Sequence, residues 1–243
     1  MARLTGVCAI FAAVTLAFLG ISDAKIDPET AVGVWLMDEG KGKKAKDFSG
    51  NGNHGTIIGA QWADGVFGSA LSFDGDGDFV DCGNAEILHI STGSMAAWIN
   101  IATVDDGGLS AVTIPYDDGP AWDAPFRSLG LGTWGGQLRY WIAIDGENLE
   151  MHPGNIDTNR WYHQALTFDG KTRKAYLDGK LVFEAKSSGE ILYKILTCPS
   201  SVSLPLERKV YVFYCFAGVC SLQPAFLAIT DLRNCQMACL RKL

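Results

Sequence analysis

Between Ala31 and Ile191 the chain is a succession of short apolar runs. Turns rich in Gly and Asp break them roughly every eight to twelve residues, the rhythm of an all-β sandwich. The runs predict strands over Val32–Met37, Ala70–Phe73, Met95–Ile101, Ser110–Ile114, Phe126–Leu131, Leu138–Ile144, Tyr162–Phe168, Lys174–Leu177 and Leu181–Glu184. In the sixth of these, Leu138, Tyr140, Ile142 and Ile144 share one face and Arg139, Trp141 and Ala143 the other. Such a strand packs on one side and is lined for contact on the other. Asp178-Gly179 separates two runs by two residues that both accept positive φ, which predicts a type I′ hairpin. Asp145-Gly146 gives the same signal, and a further hairpin is expected between Leu71–Phe73 and Phe79–Asp81. No long helical period occurs before Ile191.

The pattern changes after Ile191. From Leu192 to Leu243 the apolar residues run together rather than alternate. Val210–Ile229 has nearly the length and apolarity of a membrane span, but Ser221, Gln223 and Pro224 interrupt it, so no stable span is expected. At the other end, residues 1–24 read as a secretory signal. Arg3 supplies the positive start, Val7–Leu19 the short apolar core, and Ser22-Asp23-Ala24 the small residues at a cleavage site. The mature chain is expected to begin near Lys25 and to be secreted or displayed at the cell surface.

The formal net charge of −7 argues against nucleic acid as a partner, because phosphate contacts need clustered Lys and Arg. The one basic run, Lys41–Lys46, reads as a solvated loop. Of seven cysteines, Cys8 leaves with the signal, while Cys82, Cys198, Cys215, Cys220, Cys235 and Cys239 remain. An oxidising compartment permits disulfides, and spacing alone selects no pairing. The spacing of the last four could also suit zinc, but no His lies near them.

The loop Asp47-Phe48-Ser49-Gly50-Asn51-Gly52-Asn53-His54-Gly55 gathers turn formers and oxygen donors. It follows Trp35-Leu36-Met37-Asp38-Glu39. Downstream come Gly68-Ser69-Ala70-Leu71-Ser72-Phe73-Asp74-Gly75, then Trp161–Gly170, then Ala175-Tyr176-Leu177-Asp178-Gly179-Lys180. These four blocks, in this order and spacing, resemble the laminin-G-like jelly-roll domains of the concanavalin A-like lectin and glucanase superfamily, in the form common in secreted bacterial proteins. The resemblance implies a two-sheet antiparallel jelly roll over residues 25–191. It also implies a structural Ca2+ held with the help of Asp47, Asn51 and Asn53. A tight turn held by Asx-type hydrogen bonds without metal is the other reading of these residues. The family's closing strand, with its acidic motif, has no clear counterpart in residues 192–243. That segment is therefore expected to be a poorly ordered, Cys-rich tail, as a misread coding sequence would give, leaving one sheet edge exposed.

The remaining chemistry points to binding. Asp74-Gly75-Asp76-Gly77-Asp78 fails the EF-hand pattern, since Phe79 and Ala85 replace the required Gly and Glu. The Glu-x-Asp-x-Glu strand of related glucanases is absent, as are a nucleophile elbow, a phosphate loop and a His-Glu-x-x-His helix. Asp145–Glu150 is the nearest acidic cluster and reads as a turn. Hence no enzyme is expected. Trp122, beside Tyr116, Asp117 and Asp118, and Trp134 form an aromatic and acidic set suited to sugars, because CH groups stack on rings and carboxylates accept hydroxyl hydrogen bonds. The expected function is a secreted, non-catalytic module contacting carbohydrate or a glycosylated surface protein. A structural or adhesive domain without its own ligand is the alternative, and a glycoside hydrolase follows behind both.

Overall fold

The computed structural model describes residues 28–74, 77–83, 85–103, 108–115, 127–193 and 210–218. Apart from two 3-10 turns at Pro28–Thr30 and Glu86–Leu88, its regular structure is strand. The strands of the first half are β1 (Ala31–Trp35), β2 (Lys44–Ala45), β3 (Gly55–Ile58), β4 (Gln61–Asp64), β5 (Ser69–Ser72), β6 (Phe79–Asp81), β7 (Gly93–Ile101) and β8 (Gly108–Pro115). Those of the second half are β9 (Arg127–Trp134), β10 (Gln137–Ile144), β11 (Glu147–Met151), β12 (Trp161–Phe168), β13 (Thr172–Leu177), β14 (Lys180–Lys186) and β15 (Val210–Gly218).

An eight-stranded antiparallel sheet runs β14-β13-β12-β7-β15-β5-β4, with β1 also paired to β15. A four-stranded sheet runs β11-β10-β9-β8, and a small one runs β2-β3-β6. The expected sandwich is present. Its core joins Leu71, Met95, Ile99, Tyr162 and Leu166 of the large sheet to Val112, Ile114, Leu129, Leu131, Leu138, Tyr140 and Ile142 of the four-stranded one. Two polar ties cross this core. Tyr140 Oη donates to the Tyr176 carbonyl at 2.9 Å, and Gln164 Nε2 donates to the Gly132 carbonyl at 3.2 Å. Both satisfy groups that burial would otherwise penalise. The Asp145-Gly146 and Asp178-Gly179 turns form as predicted, with φ of 49° and 85° and of 48° and 78°.

Two expectations are corrected. Strands β5 and β6 do not pair with each other. β5 lies between β4 and β15, while β6 pairs with β3 in the small sheet. A turn-rich stretch between two apolar runs marks a reversal of the chain but not which strands become neighbours.

The second correction concerns the C-terminal segment. Val210–Gly218 is a strand in the middle of the large sheet. One edge pairs with β7 from Val210↔Ile101 to Gly218↔Gly93, and the other is shared by β1 and β5. The closing strand beside the N-terminal strand is therefore present, and the exposed edge expected there is filled. The absence of alternation misled because alternation marks a strand with one face in water. A run without it, such as Val210-Tyr211-Val212-Phe213-Tyr214-Cys215-Phe216-Ala217, still has the length and the β-branched and aromatic content of a strand. The first part of the span-like stretch is thus a strand, and no helix among the described residues is long and apolar enough to cross a membrane. Residues 1–24, 194–209 and 219–243 lie outside the described residues, and with them the expected signal peptide and the rest of the expected tail.

Candidate functional site

The Asp47–Gly55 loop latches the free edge of β1. Asp47, 4% exposed, accepts four hydrogen bonds. Its Oδ1 takes the N–H groups of Val34 (3.0 Å) and Ser49 (2.8 Å), and its Oδ2 takes the Ser49 hydroxyl (2.8 Å) and the Asn53 N–H (2.9 Å). Asn51 Nδ2 donates to the carbonyl of Ala31 at 3.0 Å, and Asn53 Nδ2 to that of Val32 at 3.0 Å. Trp35 Nε1 donates to the Asn53 carbonyl at 2.8 Å. The Asp47 N–H donates to Nδ1 of His54, which places that ring's proton on Nε2. A strand edge that would otherwise present bare backbone groups is thus closed by side chains. The fit to Ca2+ is poor in this arrangement. A carboxylate accepts at about four lone-pair sites, and each of those on Asp47 already faces a donor. An ion there would have to displace them. Among the described residues no three His, Cys, Asp or Glu side chains gather as a metal set. These contacts are those of the hydrogen-bonded turn.

The outward face of the four-stranded sheet is built differently. Because Leu138, Tyr140 and Ile142 point into the core, Arg139 and Trp141 of β10 point away from it. They meet Glu150 of β11 and the end of β9 there. Register places Thr113, Gly130, Trp141 and Glu150 in one row across all four strands. A Cβ at Gly130 would lie 3.0 Å from Cε3 of Trp141, so glycine lets the indole lie down against the strand. Trp141 is 2% exposed although it points outward. The Arg139 guanidinium sits 4.9 Å from the Trp141 ring and 4.8 Å from the Trp134 ring, sandwiched between two indoles. Glu150 grips the guanidinium in fork geometry, accepting from Nε at 2.8 Å and from Nη2. Asn148 Nδ2 and His152 Nε2 reach the same carboxylate at 3.2 Å each. Burial pushes the Glu150 carboxyl up, but the hydrogen bonds and charge of Arg139, with help from His152 and Asn148, outweigh it and hold the group below its ordinary value. Trp134, braced from one side by Arg139, remains 49% exposed. The arrangement is a stiff aromatic platform ringed by hydrogen-bonding groups. A cation–π sandwich with a bidentate ion pair fixes each member's rotamer.

Of the predicted ligand residues, Trp134 is therefore on a surface and is not folded back as a plug. Tyr116, Asp117, Asp118 and Trp122 lie outside the described residues. Arg139, Trp141, Asn148, Glu150 and His152 were missed as a set. The outward alternation of Arg139 and Trp141 was visible, but Glu150 lies on the next strand and His152 just past its end, where the Asp-Gly signal draws attention to the turn. Asp178 takes the backbone N–H of His163 at 2.9 Å and pairs with Arg160, and His163 packs on Trp98 at 5.3 Å, the packed strand histidine expected. Beside the latch an open cavity of about 320 Å3 is lined by Asn53, His54, Thr56, Asp81, Cys82 and Ala85 with Gly52 and Gly83 and offers no Trp, Tyr or Phe for stacking. Cys82 there is a buried free thiol whose pKa burial pushes up.

No curated protein matches this chain. Solved structures do. The binding domain of Paraclostridial Mosquitocidal Protein 1 aligns with TM-score 0.63 and 13% identity, over 83% of this chain and 52% of that one. Domain 4 of AbnA, an extracellular arabinanase from Geobacillus stearothermophilus solved with arabinotriose, aligns with TM-score 0.60 and 17% identity, over 82% and 96%. Trypanosoma rangeli sialidase aligns with TM-score 0.59 and 18% identity, over 85% and 33%. The chain thus spans about half of the mosquitocidal binding domain and a third of the sialidase, but nearly all of the arabinanase domain. At these identities the likeness is one of fold. Residues 74–197, about half the chain, match a laminin-G family of that fold, so the chain belongs to the concanavalin A-like lectin/glucanases superfamily.

Proposed function

We propose that this chain is a secreted, non-catalytic binding module that contacts carbohydrate, free or on a glycosylated surface protein, through the outward face of the four-stranded sheet. The observation that carries this reading is the Trp134–Arg139–Trp141 stack with Glu150, Asn148 and His152 beside it. Sugar recognition needs a flat ring for the apolar CH face and polar groups for the hydroxyls, and both are placed in advance here. Membership in a superfamily of lectins and glucanases supports it, as does a saccharide bound to the similarly folded arabinanase domain. The lack of catalysis rests on the carboxylates. Glycosidic cleavage ordinarily uses two, roughly 5–10 Å apart, one of them kept protonated. Among the described residues the outward face presents Glu150, which is engaged with Arg139 and held ionised. The test is a glycan array on the secreted protein and its Trp134→Ala variant. Binding that falls roughly thirtyfold in the variant, about 2 kcal/mol, is expected for a stacking tryptophan at the centre of a site. No glycan bound by the wild type would leave the structural or adhesive role instead.

A further inference from the structure

Arg139 is the guanidinium that the platform presents, and its charge is already spent. Two of its donors are taken by Glu150 in fork geometry, and both of its faces lie against indoles. Glu150 in turn is contacted by Asn148 and His152. A carboxylated or sulfated sugar seeking Arg139 would have to displace a bidentate partner and leave the partly buried Glu150 without its countercharge. Breaking one half of such a pair costs more than forming it gains. A neutral sugar meets no such exchange. Its ring packs on Trp134 while the Arg139–Glu150 pair stays intact. The chain's net charge of −7 adds a weak field in the same direction.

We infer that Glu150 is a specificity-determining residue that restricts the Trp134 platform to uncharged saccharides by holding Arg139 out of reach of anionic ones. This inference rests on the carbohydrate-binding reading of the same face. Glu150→Gln keeps the shape and a hydrogen bond but removes the charge, which releases the guanidinium for an anion.

The experiment measures binding of the secreted full chain and of Glu150→Gln to two immobilised sets, neutral oligosaccharides and uronic-acid oligosaccharides, at low and high salt. The wild type is expected to prefer neutral sugars by about tenfold or more, with little salt dependence. Glu150→Gln is expected to gain about tenfold on uronic-acid oligosaccharides, a gain that high salt removes. Thermal melting checks that the variant is folded. If it is not, the wild-type preference and its salt response decide by themselves. Equal or tighter binding of uronic-acid sugars by the wild type overturns the inference while leaving the carbohydrate reading intact. So does a folded Glu150→Gln with unchanged preference. A wild type that binds neither set overturns both.

Discussion

Asp47 shows how one side chain can organise a segment of backbone. It receives the N–H groups of Val34, Ser49 and Asn53 and the Ser49 hydroxyl, so its removal leaves several buried donors without acceptors. Asp47→Ala should therefore lower the unfolding free energy by about 3 kcal/mol, read as a shift of the denaturant midpoint at constant m. A loss under about 0.5 kcal/mol, the range of ordinary surface substitutions, would refute the latch. His163 makes a second residue-level case. Burial lowers its pKa from the ordinary 6.5 to about 4, against the opposing pull of the Asp178 carboxylate. Between those values the unfolded chain carries a proton that the folded one does not. Stability is thus complete above about pH 6.5 and declines as the pH falls toward about 4. His163→Gln should flatten that part of the stability curve. An unchanged slope would mean the ring is not held neutral.

At the scale of elements, β15 is the decisive piece. Val212 pairs with Ile99 of β7 on one side and Leu71 of β5 on the other. A proline there removes a ladder hydrogen bond in a strand with no free edge, so Val212→Pro should cost about 3 kcal/mol or more and yield protease-sensitive protein. Protein that stays folded with its stability intact would show that Val210–Gly218 is not a central strand. The β10–β11 hairpin matters in another way. Its outward row joins Arg139 and Trp141 to Glu150, and its inward row supplies Tyr140 and Ile142 to the core. One pair of strands both anchors the sandwich and displays the platform, because successive side chains on a strand point to opposite faces.

For the whole molecule, two expectations concern the protein as it is made. Residues 1–24 should be absent from exported protein, and an intact Met1 in its mass spectrum would refute processing. A metal-free latch predicts that a chelator leaves the melting temperature of the exported protein unchanged. A drop in chelator that calcium restores would show that an ion bound to the native state contributes by mass action, and that it takes the place of donors now facing Asp47.

The sequence determined the sandwich by itself. Apolar runs at strand length, the type I′ turns at Asp145-Gly146 and Asp178-Gly179 and the Asx-rich loop are local signals, readable from residues a few positions apart. The outward side of β10 was legible for the same reason. What the tertiary structure decided is every relation between distant segments. It set β15 between β7 and β1 and placed β6 beside β3 rather than β5. It also brought Glu150 to Arg139 and set that guanidinium between Trp134 and Trp141. Pattern reports how much of a strand meets water, but not which strand is its neighbour. Pairing is fixed only when the buried faces of the sheets close on one another, and the platform exists because that closure aligns three strands in register.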